Sequence, residues 1–170
     1  MERAVSLRTS TLGQRIRRQF QRLGYNFWPC ILGTGVRIDH IAEDWSELRV
    51  SLPLTWRTRN AFGTTFGGSI YAAVDPFYVI MLLHRLGKDF LIWDKSATVR
   101  FRRPGRSTLH ARFVVDDAEL DAIALALQGQ RAIDRVYRID LTDANGVVHA
   151  TVEKVVYIRR KREQSREVAA

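Results

Sequence analysis

The stretch from Gly67 to Leu86 limits the possible folds more than any other part of the chain. A Gly-Gly pair opens it. From Ser69 onward the residues are almost all apolar: Ile70, Tyr71, Ala72, Ala73, Val74, Phe77, Tyr78, Val79, Ile80, Met81, Leu82 and Leu83. A helix that is apolar on every side belongs in the middle of a domain. It is too short, and too interrupted by Asp75 and Pro76, to read as a membrane span. The rest of the chain has to wrap around it. Pro76 cannot donate a hydrogen bond to the carbonyl of Ala72 and crowds the preceding turn. A kink is expected where Asp75 projects.

The start of that helix carries chemistry. Its first N–H groups lack partners inside the helix, and the dipole there is positive. Glycines allow an acyl oxygen to approach those groups closely. Gly67, Gly68 and Ser69 are therefore candidates for an oxyanion-type site. Asp75 lies about two turns further on, with roughly 10 Å of axial rise between. That is too far for its carboxylate to act on a carbonyl held at its own helix start. If both groups act together, the acid must come from a second chain whose helix runs antiparallel, which implies a two-fold dimer with shared sites. The other reading of Asp75 is structural: it pairs with a core basic group or an orphan helix carbonyl.

Alternation supplies the sheet. Val36 and Ile38, then Leu48, Val50 and Leu52, read as two strands on either side of Ala42-Glu43-Asp44. Phe90 to Arg103 and Ser107 to Val115 are two more. Arg103-Pro104-Gly105-Arg106 joins them, with Pro and Gly suited to the centre of a type II turn. A hairpin follows, Arg135 to Thr142 and Val147 to Ile158, turning at Asp143-Ala144-Asn145-Gly146. Between Val115 and Arg131 a second helix is expected, with Asp116 and Glu119 as a capping box and Gly129 as its stop. In strict alternation Lys95 shares an apolar face with Leu91, Trp93, Ala97, Val99 and Phe101. Either it meets a buried carboxylate or a bulge turns it outward and moves Asp94 to the other side.

This order gives an α+β fold, one antiparallel sheet wrapped around a long central helix. From about Val36 to Tyr157 the chain resembles the hot-dog fold, and within it the phenylacetyl-CoA-thioesterase-like acyl-CoA thioesterases. The family pattern is an Asn, then Gly-Gly seven and eight residues later, then an acid seven after the second Gly. Asn60, Gly67, Gly68 and Asp75 match it without a gap. The resemblance implies that the Gly68 N–H polarises a thioester carbonyl, that Asp75 of a second chain activates water or attacks directly, and that Asn60 orients the water or the acyl group. The family commonly has His-Gly-Gly; here the first position is Phe66. The alternative function is a non-catalytic acyl-CoA or fatty-acyl binder. Phe66, Gly67, Ser69 and Lys95, with the basic group Arg102, Arg103 and Arg106, are the candidate substrate-binding residues; the arginines suit the phosphates of coenzyme A. No cofactor is implied, since the coenzyme A ester is the substrate. The expected partner besides substrate is the chain itself, as a homodimer or a dimer of dimers.

The net charge of +9 sits mainly at the ends. Residues 1–25 carry six Arg against one Glu, and residues 159–170 five Lys or Arg against two Glu. The organisation reads as a basic N-terminal helical extension over 1–30, a hot-dog domain over 31–158 and a basic, frayed tail over 159–170. The ends could seek a membrane surface; no specific nucleic-acid partner is implied. Leu12, Ile16, Phe20 and Leu23 form a helical stripe opposite Arg15, Arg17, Arg18 and Arg22, expected to pack on its own domain rather than on a membrane. Cys30 is the single cysteine, expected to be buried, and a reducing cytoplasm fits. His40, His84, His110 and His149 show no metal spacing.

Overall fold

A computed structural model describes residues 12–161, with side chains from residue 19 onward. Two helices, α1 (Leu12–Phe27) and α2 (Pro29–Thr34), precede strands β1 (Arg37–Ile41) and β2 (Glu47–Leu52). Then come α3 (Gly67–Ala72), α4 (Phe77–Leu86), β3 (Phe90–Phe101) and β4 (Leu109–Val114). Helix α5 (Asp117–Gly129) and strands β5 (Ala132–Thr142) and β6 (Val148–Arg160) complete the chain. The six strands form one antiparallel sheet in the order β1-β2-β4-β5-β6-β3. This is the hot-dog architecture.

The apolar segment is where the sequence puts it. Phe77, Met81 and Leu82 of α4 are fully buried, in one core with Phe113, Ile139, Leu141 and Ile158 of the sheet. The rings of Phe77 and Phe113 lie 5.2 Å apart, and Tyr78 stacks on Tyr137 at 4.1 Å. The expected kink is a full break. Helix α3 stops at Ala72 and α4 resumes at Phe77, with Ala73 to Pro76 in a turn between them. Pro76 has no N–H for the Ala72 carbonyl, so the ladder cannot run through.

Three local expectations need correction. Gly105 is not the centre of a type II turn, because its φ is not positive. It is needed for close approach: its carbonyl accepts Thr65 N at 2.8 Å, and a Cβ there would lie 2.5 Å from Thr65 Oγ1. The capping box is half formed. Asp116 Oδ1 accepts Glu119 N at 2.8 Å, but the Glu119 carboxylate takes Arg135 and Tyr137 of β5 instead, tying α5 to the sheet. Arg159 and Arg160 are not tail; they continue β6, paired with Leu91 and Phe90. Residues 162–170 lie outside the described residues.

From residue 19 onward the N-terminal helix is turned the other way from the expectation; the side chains of Leu12 and Ile16, the rest of the expected stripe, lie outside the described residues. Phe20, Leu23 and Phe27 are exposed, and Phe20 and Phe27 both keep 69% of their surface in solvent. The polar side faces the domain. Asn26 Oδ1 accepts Ile38 N at 2.7 Å, Asn26 Nδ2 donates to Ile38 O at 3.1 Å, and Arg22 Nη1 donates to Asp39 O at 2.7 Å. The reason is the sheet edge. Strand β1 has a neighbour on one side only, and its outer N–H and C=O groups need partners. A polar helix face can supply them and an apolar one cannot. Cys30, just beyond, is exposed rather than buried.

Replacing Asn26 with Ala strips both partners from Ile38. The expected loss is about 1–3 kcal/mol, the scale for leaving partly buried backbone groups unpaired. Thermal unfolding should show it as a drop of roughly 2–12 °C. An unchanged midpoint would mean that α1 does not seal this edge.

Candidate active site

The site is built on the loop that leads into α3. Thr58 is buried and its hydroxyl donates to Pro53 O at 2.6 Å. Phe66 N donates to Thr58 O at 2.8 Å, which sets the entry to the helix. Asn60 closes the loop between them. Its Oδ1 accepts Phe62 N at 2.9 Å and Thr64 N at 3.1 Å, while Nδ2 donates to Thr64 Oγ1 at 3.0 Å. The carboxamide oxygen is thus committed to the loop, and the NH2 group has a second hydrogen beyond the one Thr64 takes.

Helix α3 starts without a side-chain cap. Phe66 occupies the N-cap with an extended backbone. The helical ladder begins with Ile70 N donating to Phe66 O at 3.1 Å, so the N–H groups of Gly67, Gly68 and Ser69 precede it. Aromatic rings lie over both glycines. A Cβ on Gly68 would come within 2.4 Å of Phe66 Cε1, and one on Gly67 within 3.0 Å of Phe101 Cζ. Ser69 is buried and Phe66 is about half exposed.

A second loop faces this helix start. Arg102 N and Arg103 N both donate to His149 O, at 2.8 and 3.1 Å. The His149 ring sits between Pro104 O at 3.1 Å and Asp143 Oδ2 at 3.2 Å. With Thr65 on Gly105, this pins residues 102–105 against the Asn60 loop. The result is a cavity of about 410 Å³ lined by Asn60, Thr64, Thr65, Gly67, Ile70 and residues 101–105. Asn60, Gly67, Arg102 and Arg103 therefore meet in one place. Beside it, Arg102 and Arg103 join Arg138 around a second cavity of about 510 Å³. Arg106 is exposed on the same loop. Lys95 is elsewhere: a bulge between Asp94 and Ser96 turns it outward, where it pairs with Asp134 at 2.7 Å.

Asp75 does not line the cavity of its own chain. It sits at the helix break with 47% of its side chain exposed. The bulge that releases Lys95 carries Asp94 to the inner face of the sheet, as the second alternative for that strand required. There both acids meet Lys154, whose side chain is fully buried. Lys154 Nζ lies 2.8 Å from Asp94 Oδ2 and 3.5 Å from Asp75 Oδ1, and donates also to the backbone oxygen of Asp75. Burial pushes the Asp94 carboxyl above the usual carboxylate range, against the pull of Lys154. Tyr71, one turn before Asp75, has its phenol pushed up to about 12, foremost by its hydrogen bond to the Asp75 carboxylate. Lys154 escaped the sequence reading, although alternation pointed to it: Ala150, Val152, Lys154, Val156 and Ile158 share one face of β6. His149 and Thr65 had no such signal, because their partners lie in loops.

A family model described as a domain of unknown function (DUF4442) matches residues 16–158. The chain belongs to this family. No curated protein matches it. Several solved structures share the fold. A Pseudomonas aeruginosa protein described as a "probable thioesterase" is 18% identical, with a TM-score of 0.72 over 84% of this chain and 95% of that one. A Haemophilus influenzae thioesterase is 16% identical, with a TM-score of 0.63 over 92% and 96%. A mutant of the phenylacetic acid degradation protein of Thermus thermophilus is 18% identical, with a TM-score of 0.52 over 76% and 97%. At these identities the likeness establishes the hot-dog fold.

Gly105→Ala should disturb the contact between the Asn60 loop and residues 102–105 without touching the helix start. The added methyl meets Thr65 at 2.5 Å, so the expected cost is about 1–3 kcal/mol, as for other overpacked sites. Urea unfolding should report a lower midpoint at unchanged slope. A midpoint equal to the native one would show that the two loops are not held together at this point.

Proposed function

We propose that this protein is an acyl-CoA thioester hydrolase that works as a dimer, with each site shared between two chains. One observation carries the reading. The helix start, Asn60 and two arginines surround one cavity, while the only acid on the central helix segment stands outside it and half exposed. The acid of a second copy would complete a cavity that the chain's own Asp75 does not line. The thioesterase descriptions of proteins with the same fold support the substrate class.

In this mechanism the thioester carbonyl sits at the start of α3, where the Gly68 N–H stabilises the developing negative oxygen. Asp75 of the partner subunit accepts a proton from water, which attacks the carbonyl carbon. The tetrahedral intermediate collapses and the coenzyme A thiolate leaves, needing no strong acid. Asn60 orients the water or the acyl group through its NH2. Arg102, Arg103 and Arg106 bind the phosphates of coenzyme A, with Arg138 beside them. Phe66, Ser69 and Ile70 border the acyl group.

A non-catalytic acyl-CoA binder is the second reading, and Phe66 favours it. Its ring lies against Gly68 in the place where related proteins commonly carry a histidine. Thiol release from a panel of acyl-CoAs separates the two. Hydrolysis by the native chain is the expected result; binding without release would establish the binder instead.

For the best acyl-CoA, Asp75→Asn should lower turnover by about 10²-fold or more, the scale for losing a general base. Asn60→Ala should lower it less. Replacing Arg102 and Arg106 with Ala should mainly raise KM, as uniform binding is lost. Undiminished turnover in Asp75→Asn would remove Asp75 from the mechanism. Sedimentation at micromolar concentration should show a dimer or a larger assembly, and a monomer there would remove the shared site.

A further inference from the structure

Lys154 is the one lysine of the described chain buried to zero exposure. Its neighbours on the inner face of β6 are Val152 and Val156, both fully buried. Stability alone gives little reason for a cation there, because a buried ion pair is often no better than apolar residues of similar volume. Its contacts are also lopsided. All of its polar partners lie at two acids: the carboxylate and backbone oxygen of Asp75, and the carboxylate of Asp94. Of the three hydrogens an ammonium can give, one goes to the Asp75 backbone oxygen and one to Asp94 Oδ2, while Asp75 Oδ1 stands at ion-pair distance, 3.5 Å.

The backbone contact matters as much as the charge. The break at Pro76 leaves the last carbonyls of α3 outside a continuous ladder. Lys154 reaches up from the sheet and takes the Asp75 oxygen at that break. The Asp75 carboxylate also acts on Tyr71 in the preceding turn, pushing its phenol up. One residue thus fixes the backbone from which Asp75 projects and places a positive charge behind its carboxylate. The outer side of that carboxylate stays in solvent.

We infer that Lys154 is the positioning residue for Asp75: from inside the core it holds the Asp75 backbone oxygen and stands behind the carboxylate, so that the acid is aimed outward, and Asp94 is the counter-charge beside the buried lysine. This rests on Asp75 being the general base of the proposed hydrolase. The charged and titratable groups facing one another here are Lys154, Asp75, Asp94 and Tyr71. The lysine and Asp94 act on Asp75 with opposite sign. Removing the cation makes it easier to protonate; removing the neighbouring anion makes it harder.

The test compares Lys154→Met and Asp94→Asn with the native protein in two measurements. In Lys154→Met, kcat should fall at least tenfold with KM within about twofold, as when a transition-state contribution is lost. The acid limb of its pH–rate profile should move up by about 1–3 pH units, and that of Asp94→Asn should move down. A purely structural lysine would lower stability in both variants and move neither limb. The second measurement needs no turnover: carbon-13 NMR of the labelled aspartate carboxyls should show the same opposite displacements in the protonation of this acid pair. Equal NMR titrations in all three proteins would overturn the inference, whatever the native turnover. An inert native protein with the opposite displacements intact would overturn the hydrolase reading alone and uphold the coupling of Lys154 to Asp75. If Lys154→Met does not fold, the downward displacement in Asp94→Asn decides.

Discussion

The break between α3 and α4 is the constraint on which the rest of the site depends. A proline inside the apolar segment removes the donor for the Ala72 carbonyl and ends α3, which leaves Asp75 in a turn. A lysine from the sheet takes the Asp75 backbone oxygen in that turn. A lysine in the core then needs an anion, and Asp94 can face inward only because β3 bulges between Asp94 and Ser96. The bulge sends Lys95 to the outer surface and its pair with Asp134. Proline, lysine, bulge and aspartate are one linked set, and Asp75 is the member of it that reaches solvent.

The two edges of the sheet are treated differently, and the difference bears on assembly. The β1 edge is covered by the polar side of α1 through Asn26 and Arg22. The β3 edge is longer, twelve residues, and its other neighbour within the chain is none among the described elements. Trp93 and Phe101 on that strand are exposed, and Trp93 stacks on Tyr157 of β6 at 4.8 Å. A long uncovered strand with exposed aromatic residues is a template for pairing with another chain. In the proposed dimer this edge, where Asp94 and the helix break also lie, is the one that a second copy would meet.

Much of this was legible in the sequence, and the omissions share a cause. Periodicity found the central apolar segment, all six strands and α5, because burial imposes a repeat of two or 3.6 residues. The spacing from Asn60 through Gly68 to Asp75 located the helix start and the acid. Alternation failed to decide only where the chain itself broke it, at Lys95. Contacts between loops left no repeat to read. Thr65 on Gly105, and His149 on Pro104, join residues 40 and 45 positions apart through backbone oxygens. The direction of α1 was misread for another reason. An apolar stripe suggests a core-facing side, but from residue 19 onward the polar side of α1 faces the free edge of β1 and supplies its hydrogen bonds.

The two readings of Asp75 that the sequence left open turn out not to exclude each other. A core basic group pairs with it, and the same group takes its backbone carbonyl. A purely structural aspartate would be expected to sink toward that lysine, as Asp94 does with 23% of its side chain exposed. Asp75 keeps twice that exposure while touching the same ammonium. Of two carboxylates around one buried cation, the inner one is held by the charge and hydrogen bond of Lys154 against the cost of desolvation, and its second oxygen lacks a partner among the described residues. The outer one has charge behind it and solvent in front. An acid–cation pair that served only to fill the core would be symmetric in burial. The asymmetry fits a carboxylate kept available at the surface, and it assigns the cost of the buried cation to Asp94 rather than to the group that would meet a substrate.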